Sequence, residues 1–307
     1  MLTPLRVVPL AKERVWGGTR LLPPRALPIG ELWVASPSAV VADGVHAGRS
    51  LEDLAAAFGA DLVGTAAPTG RGPHFPLLVK LLDPAAWLSV QVHPDDDTAR
   101  SLAGPDAVGK AEAWYVVEAE PGAELLVGAR PQVRPDELRD AIRRGAATTA
   151  LLARHEVRTG DAVLLPAGTL HAVGPGVLLY ELQQPSDLTY RVDDWGRPAT
   201  AERPLHTAEA LASVAPGSRP QVRRGGAPGR LATSAHFTLD LFDLPAHLGQ
   251  DGRTLRIVTA LEMPLVLAGD GWDQRLEPLE SLVVPASTGP YDLRPAPGGH
   301  ALVAALP

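Results

Sequence analysis

One segment of the sequence, SVQVHPDD (residues 89–96), alternates polar and apolar side chains. In a β-strand, residues two apart share a face, so Ser89, Gln91 and His93 point one way and the two intervening valines point the other way. If the polar face points into a barrel, its side chains require polar partners, water or a metal ion, because burying an unpaired polar group is costly. If the valines form the core, the polar face lies in solvent. This segment alone favours neither arrangement.

Two other segments contribute side chains that could bind a metal ion together with this polar face. Lys110 and Glu112 are two residues apart in GKAEAWYVV, so they share a face of the strand predicted there. His171 follows a predicted strand end in the glycine-rich segment PAGTLHAVG. The candidate donors are then an amide, a carboxylate and two imidazoles: Gln91, Glu112, His93 and His171. Donors of this kind suit Zn²⁺ or another divalent first-row ion, and a position left for water would make the site catalytic.

The other histidines receive a simpler interpretation. A histidine is more often a surface residue or a hydrogen-bonded residue than a metal ligand. We therefore expect no ligand role for seven of the nine: His46, His74, His155, His206, His236, His247 and His300.

The segment ELQQPSDLTYRVDDWGR (residues 181–197) concentrates charged side chains. A cluster of this kind is usually a solvated loop held by ion pairs. Arg191 could also bind a phosphate or stabilise an oxyanion, because a guanidinium presents a fixed charge in a planar fork. Asp187 could act as a base or orient this arginine.

These segments belong to a chain that is rich in short strands. Most stretches between the 30 glycines and 31 prolines are short and apolar or alternating, which predicts an all-β sandwich, jelly roll or barrel with few short helices. One helix is predicted after Ser50, because Asp53 follows it by three residues as in a capping box. A second helix is predicted over residues 134–145, with Pro135 near its start. A third begins near Thr207.

A short internal repeat suggests two copies of one β-fold. VLLPAGT (163–169) resembles LVVPAST (282–288), and only the first copy leads on to a histidine. Residues 216–230 are rich in proline, glycine and arginine, which is typical of a linker. We therefore expect a metal-binding domain with short helical insertions at 1–215 and a degenerate C-terminal domain at 231–307.

Composition limits the function classes. The 307 residues include 28 basic and 35 acidic residues, for a net charge of −7, which argues against a general nucleic-acid binder. The absence of cysteine excludes disulfides, thiolate zinc sites and cysteine nucleophiles. The start does not resemble a signal peptide, and no apolar run approaches the roughly 20 residues of a membrane span. We expect a cytoplasmic protein without a membrane or nucleic-acid partner.

Taken together, the ordered motifs resemble the type I mannose-6-phosphate isomerases in their short bacterial form. Along the sequence the motifs are ERVWGG (13–18), GELWVAS (30–36), FPLLVKLLD (75–83), LSVQVHPDD (88–96), GKAEAWY (109–115), PAGTLHAVG (166–174) and SDLTYRVDDWGR (186–197). The resemblance implies two jelly rolls of the cupin type (RmlC-like), the first binding one zinc ion and the second degenerate.

The resemblance also implies a role for each site residue. The metal ligands of the family correspond to Gln91, His93, Glu112 and His171. Its catalytic residues correspond to Lys110, Asp187 and Arg191, and the substrate phosphate contacts fall to Ser89, Lys110 and Arg191.

The sequence departs from the family pattern at three positions near the proposed site. Ala111 stands where threonine is common, Pro185 stands where serine is common, and Asp193 replaces a frequent aromatic residue. These departures affect the expected positioning of the substrate more than the expected metal site.

The implied reaction interconverts mannose 6-phosphate and fructose 6-phosphate through a metal-stabilised cis-enediol(ate). It moves one proton between C1 and C2 and another between O1 and O2, while a divalent ion polarises the oxygens. Arg191 is suited to stabilise the charge of the enediolate or to contact the phosphate. Lys110 is the first candidate base, because repulsion from zinc and Arg191 favours its neutral amine. Asp187 is the second.

Two other functions stay open at this level. A non-catalytic sugar-phosphate sensor or binding module could share the same fold. A metal-dependent oxygenase could use two histidines and a carboxylate, although Gln91 as a fourth donor and the placement of Lys110 argue against it. The expected partner is a small phosphosugar, and the chain is expected to be a monomer or a homodimer.

Overall fold

The computed structural model describes residues 2–23, 27–68, 72, 74–145, 148–201, 203–295 and 299–307. The chain divides into two compact units. Unit 1 consists of Met1–Leu10, Leu32–Lys80 and Gly226–Pro307, and unit 2 consists of Ala11–Glu31 and Leu81–Gly225. The predicted division into domains at 1–215 and 231–307 stays a prediction.

Strands make up most of the regular secondary structure of the described chain, with few short helices, which confirms the predicted fold class. The strands of the first half are β1 (Val7–Val8), β2 (Leu10–Gly18), β3 (Ile29–Ala35), β4 (Val40–Val41), β5 (Leu78–Leu82), β6 (Val90–Val92), β7 (Glu112–Ala119), β8 (Glu124–Ala129) and β9 (Leu152–Glu156). Those of the middle are β10 (Ala162–Leu165), β11 (His171–Val173), β12 (Val177–Gln183), β13 (Tyr190–Asp193), β14 (Gln221–Arg223), β15 (Gly229–Thr233) and β16 (Thr238–Asp243). The last are β17 (Ala246–Leu248), β18 (Arg256–Ala260), β19 (Leu265–Gly269), β20 (Trp272–Leu276), β21 (Ser281–Val284), β22 (Tyr291–Pro295) and β23 (His300–Ala305). The α-helices are α1 (Leu51–Phe58), α2 (Ala60–Val63), α3 (Asp96–Ala103), α4 (Pro135–Arg144) and α5 (Thr207–Ser213).

Unit 2 is built on two sheets. One has the strand order β14-β10-β7-β12-β5-β3-β2, with the unit boundary falling inside β3 and β5, and the other has the order β13-β6-β11-β8-β9. Alternate residues of both sheets point towards each other and form one apolar core, which includes Trp114, Leu125, Val163 and Val173. The space between these sheets is therefore the interior of the unit.

Helices α4 and α5 cover the outer face of the five-stranded sheet. Leu138 and Ile142 of α4 and Ala210 of α5 form a second core with Val90 and Val92 of β6. The strand β6 consequently has protein on both sides, with Val90 and Val92 buried and Gln91 half-buried.

The three predicted helices are confirmed as α1, α4 and α5. Ser50 and Asp53 form the expected capping box at the start of α1, and α4 begins at Pro135 and ends before Gly145, whose φ of 59° is left-handed. Helix α3 was not predicted. Its signal is the Asp95 side chain, which accepts a hydrogen bond from Thr98 N at 2.8 Å.

Unit 1 also contains a pair of sheets, with the orders β15-β16-β23-β18-β21 and β17-β22-β19-β20. Their shared core includes Val258, Leu267, Leu282, Leu293 and Val303. Each unit thus packs two sheets face to face, as predicted for a β-sandwich, while the jelly-roll connectivity stays a prediction.

The segment predicted as a linker, residues 216–230, contains regular structure. Strand β14 pairs with β10 inside unit 2, and β15 begins at Gly229 inside unit 1. Among the described residues, no helix is long and apolar enough to cross a bilayer.

Candidate metal centre

Strand β6 directs its polar side chains inward although its valines are also buried. Val90 and Val92 are fully buried against the helices on the outer side. Gln91 and His93 point the other way, between the sheets, where they meet side chains of β7 and β11. Of the two arrangements left open by the sequence, the inward one is therefore found, because the helices supply a second core for the valines.

The neighbouring strands bring the other candidate donors to the same place. Glu112 begins β7, and Trp114, two residues on, belongs to the inner core. His171 begins β11 and lies directly opposite Gln91 in the antiparallel pairing of β11 with β6. Three strands from both sheets therefore converge on one point.

The ligand-type atoms of His93, Glu112 and His171 all lie within 4.8 Å of one another, and all three residues are buried. His93 Nε2 is 3.5 Å from Glu112 Oε2, and His171 Nε2 is 3.2 Å from Glu112 Oε1. Tetrahedral zinc with bonds of about 2.1 Å places its ligand atoms about 3.4 Å apart. The spacing therefore fits one small divalent ion.

Hydrogen bonds fix which ring nitrogens carry protons. His93 Nδ1 donates to the carbonyl of Leu188 at 2.8 Å, and His171 Nδ1 donates to the carbonyl of Thr169 at 2.9 Å. A carbonyl only accepts, so in the neutral rings both Nε2 atoms present lone pairs towards Glu112. Burial is the main cause that lowers the pKa of His171, with Glu112 opposing it, and this favours the neutral ring.

Glu112 Oε1 is buried and receives no hydrogen bond from the described residues. A carboxylate oxygen and an imidazole lone pair at 3.2 Å repel each other unless a cation lies between them. The tautomers, the orphaned oxygen and the spacing thus all fit a divalent cation bound by these side chains.

Gln91 is held at the same point by Ser89. Gln91 Nε2 is 3.2 Å from His171 Nε2, and Ser89 Oγ donates to Gln91 Oε1 at 3.2 Å. A hydroxyl can donate or accept. Ser89 therefore satisfies the Gln91 amide in either orientation, including the one that turns its oxygen towards His171.

Lys110 lies within the same cluster. Its Nζ donates to Glu112 Oε2 at 2.6 Å and contacts His93 Nε2 at 2.9 Å. Gly109 permits this placement, because a Cβ there would lie 2.6 Å from the backbone of Asp95 and Asp96. The lysine ammonium thus neutralises part of the charge that Glu112 carries in the interior.

Sequence reasoning missed two buried polar residues around this cluster, Glu181 and Gln184. Glu181 Oε2 accepts from Trp114 Nε1 at 2.9 Å, and its other oxygen is 3.9 Å from Lys110 Nζ. Gln184 accepts from Ala111 N and donates to Asp96 Oδ1 at 3.0 Å. The only signal in the sequence is the polar character of ELQQ at the end of an apolar strand.

Arg191 is the direct cross-strand partner of Gln91 in the pairing of β13 with β6. Directly paired residues point to the same side of a sheet, so Arg191 belongs to the inward face with Gln91. Its Nη1 donates to the carbonyl of Pro204 at 2.9 Å, and its backbone N–H donates to His206 Nδ1 at 3.1 Å. Burial, followed by Arg203, lowers the pKa of Arg191.

The predicted ion pairs of the 181–197 segment are present, but they are buried more deeply than a solvated loop implies. Asp194 is 6% exposed and receives hydrogen bonds from Arg203 at 2.8 and 3.0 Å. Arg197 lies 2.8 Å from the same carboxylate. Trp195 stacks on Trp87 with ring centroids 4.8 Å apart. These contacts hold the chain on the C-terminal side of Arg191.

Asp187 is exposed and lies shortly before β13, between the buried Ser186 and the half-buried Leu188. Its backbone carbonyl accepts from Thr189 Oγ1 at 3.4 Å.

Within the described residues, only His93, Glu112 and His171 form a set of histidine and acid groups close enough to hold one ion. The structure thus brings Ser89 and Lys110 to the candidate ligands, and Arg191 to the same face as Gln91.

Three comparisons with known proteins agree with this geometry. A family model described as phosphomannose isomerase type I, catalytic domain, matches residues 11–115. A probable mannose-6-phosphate isomerase, GmuF, from Bacillus subtilis (strain 168) is 39% identical over 226 residues, which cover 69% of this chain and 68% of that protein. The mannose-6-phosphate isomerase of Streptococcus mutans serotype c is 38% identical over 226 residues, covering 69% and 67%.

A solved structure extends the likeness to the whole chain. The crystal structure of the mannose 6-phosphate isomerase from Bacillus subtilis superposes with a TM-score of 0.83 at 27% identity and covers 99% of both chains. The residues that the family model matches include Gln91, His93 and Glu112, and His171 lies beyond them. The chain therefore belongs to the type I phosphomannose isomerases.

Proposed function

We propose that this chain interconverts mannose 6-phosphate and fructose 6-phosphate and that it requires one divalent metal ion, with zinc as its natural partner. The observation that carries the proposal is the Nε2 lone pair of the neutral His171 ring, 3.2 Å from a buried Glu112 oxygen that receives no hydrogen bond from the described residues. His93 Nε2 lies beside the other oxygen of the same carboxylate. The names of the relatives supply the reaction.

Zinc is favoured by the donor set. Two imidazoles, a carboxylate and an amide oxygen are the nitrogen and oxygen ligands that zinc accepts, and a fifth position for water or substrate makes such a site catalytic. A solved mannose 6-phosphate isomerase with the same fold (TM-score 0.72, 18% identity) was bound with zinc and yttrium. His93, Glu112, His171 and Gln91 would hold the ion.

The chemistry needs an electrophile at two neighbouring sugar oxygens, a base at carbon and a contact for the phosphate. Bound at the candidate site, a divalent ion would act as a Lewis acid on the sugar oxygens. Arg191 offers a fixed positive charge to the enediolate or the phosphate. Its Nη1 already donates to the carbonyl of Pro204 at 2.9 Å, and this contact restrains the guanidinium before substrate binds.

Lys110 is the first candidate for moving the proton between C1 and C2. Its Nζ is buried beside the donor set, whereas Asp187 is exposed. A base must reach its proton directly or through one water molecule. The position of Lys110 favours it, and Asp187 is the alternative that orients Arg191 or the substrate.

A coupled assay on the purified chain tests the proposal. The protein is dialysed against a chelator, its metal content is measured, and mannose 6-phosphate is supplied with and without added Zn²⁺, Co²⁺, Mn²⁺ or Mg²⁺. We expect activity to disappear with the metal and to return with one equivalent of it. In deuterated water, we also expect exchange at C2 of mannose 6-phosphate. Retained ligand binding without exchange would show a binding module instead of an isomerase.

Two variants separate the candidate bases. Lys110→Met removes the amine, and Asp187→Asn removes the carboxylate while keeping its shape. If Lys110 is the base, Lys110→Met abolishes the exchange and Asp187→Asn retains it. The reverse result would assign the role of base to Asp187.

A cytoplasmic location and a monomeric or dimeric state stay predictions.

A further inference from the structure

His206 occupies an unusual position for a histidine. It is the N-cap residue of α5, with φ of −119° and ψ of 61°, but its side chain makes no capping hydrogen bond. Serine, threonine, aspartate and asparagine are preferred at this position because they cap the free N–H groups of the first turn. Because the His206 side chain does not cap the helix, we looked for another contact that it makes.

The side chain of His206 is directed at strand β13 instead of at its own helix. His206 Nδ1 accepts the backbone N–H of Arg191 at 3.1 Å, and His206 N donates to the carbonyl of Arg191 at 2.8 Å. Both backbone groups of Arg191 are thus bonded to the same residue. Pro204, two residues earlier, accepts Arg191 Nη1 at 2.9 Å.

The contacts to His206 and Pro204 add to what the sheet gives Arg191. Its Nε is buried without a hydrogen-bond partner among the described residues, and the pairing of β13 with β6, which includes Arg191 and Gln91, becomes irregular between Arg191 and Asp193. At such an irregularity the strand ladder does not fix the backbone on its own. The contacts from the segment that leads into α5 therefore help to fix where this arginine lies.

We propose that His206 is a positioning residue for the isomerase reaction: it fixes the backbone of Arg191 and thereby the side chain that shares the inward face of the sheet with Gln91. The inference rests on the proposed function for its effect on the rate. The bond itself is independent of that function.

The bond requires one protonation state of the imidazole. Nδ1 accepts, so it must carry no proton, and a proton there would face the N–H of Arg191 and break the contact. Burial and the charge of Arg191 lower the pKa of His206, while Glu209 on α5 opposes them. Tyr190 packs against the ring with centroids 5.8 Å apart. His206 is therefore neutral at pH 7, and acid below its usual value of about 6.5 removes the acceptor.

Two substitutions isolate this acceptor. His206→Asn keeps an acceptor oxygen near the place of Nδ1 and does not titrate, whereas His206→Leu keeps bulk and loses the acceptor. We expect kcat to fall about 10–100-fold in His206→Leu, since a misplacement of about 1 Å near the chemistry costs rate on that scale. We expect His206→Asn to keep kcat within about threefold, and metal content to be unchanged in both.

The dependence of kcat/KM on pH distinguishes this positioning role from a merely structural role, which would not change it. The acid limb of kcat/KM in the wild type should contain a step from His206, and that step should be missing in His206→Asn. Wild-type kcat in folded His206→Leu would overturn the proposal. So would an equal loss in both variants, because rescue by the retained acceptor would then fail.

Hydrogen exchange of the Arg191 amide separates this proposal from the proposed function. Protection in the wild type and in His206→Asn, with loss of protection in His206→Leu, supports the positioning bond even if no isomerase activity is found. Equal protection in all three proteins contradicts the bond, whatever the activity.

Discussion

His171 and Gln91 lie directly opposite each other on β11 and β6, and their Nε2 atoms are 3.2 Å apart. This pairing comes from the backbone register of two antiparallel strands and not from flexible loops. Two of the four candidate ligands are therefore placed by the sheet itself, and a substitution at either one changes the site without changing the fold.

Glu112→Gln should abolish metal binding while leaving the fold intact. The amide keeps the shape of the side chain but removes the charge that balances a divalent ion. Loss of an outer partner of a metal ligand typically costs about 10–100-fold in affinity, and loss of this ligand should cost more. Metal content after equilibrium dialysis measures the effect. Glu118→Gln, on the exposed part of the same strand, serves as the control. Full metal occupancy in Glu112→Gln would show that Glu112 is not a metal ligand.

Ser89→Ala should weaken metal binding about 10–100-fold, because Gln91 loses the hydroxyl that orients its amide. The same variant also tests the phosphate contact predicted for Ser89. If the hydroxyl only contacts phosphate, KM for mannose 6-phosphate rises and metal affinity does not change. Zinc titration beside steady-state kinetics distinguishes the two results. Ser101→Ala, on the exposed surface of α3, is expected to change neither.

Asp194→Asn should lower the free energy of unfolding by about 2–3 kcal/mol, because it removes a buried charge that two arginines share. Urea unfolding at neutral pH measures the change. Asp140→Asn removes one member of an exposed pair with Arg143 and should cost less than about 1 kcal/mol. Similar losses of unfolding free energy in Asp194→Asn and Asp140→Asn would mean that burial does not strengthen the ion pairs of Asp194.

Asp161 should contribute stability that depends on acid pH. Burial alone would raise its pKa, but hydrogen bonds from Gly225, Arg224 and Arg158 outweigh it and hold the pKa below the usual range. The charged form is therefore favoured in the folded protein, so the contribution is full above the ordinary aspartate pKa and is lost as the pH falls through the lowered one. The free energy of unfolding of Asp161→Asn should be about 1–2 kcal/mol below wild type at pH 7. The gap should narrow on acidification below about pH 4, and a constant gap would contradict this account.

The sequence predicts the candidate ligands because strand alternation is a local property. The two-residue spacing of Gln91 and His93, and of Lys110 and Glu112, is sufficient to place each pair on one face. What the spacing does not contain is the second core behind β6. That core depends on Leu138 and Ile142, which lie some fifty residues away in sequence, and only the packing of α4 shows why both faces of β6 are buried.

The residues that sequence reasoning missed have a common property. Glu181 and Gln184 lie in or next to a strand that is mostly apolar, so their polar character carries no spacing signal. The sequence assigns no ligand role to His206, because a histidine is more often a surface or hydrogen-bonded residue, and in the structure it is hydrogen-bonded. Its partner Arg191 is fifteen positions away, and the contact exists only because the chain turns back after the Asp194 cluster.

The double burial of β6 has a consequence for insertions and deletions. Removing one residue between Leu88 and His93 would exchange inner and outer positions, so that valines would enter the space beside Glu112 and an amide and an imidazole would press into the helices. A change in the length of this short strand is thus more damaging than a change in its composition. A conservative substitution will be tolerated where the insertion or deletion of one residue is not.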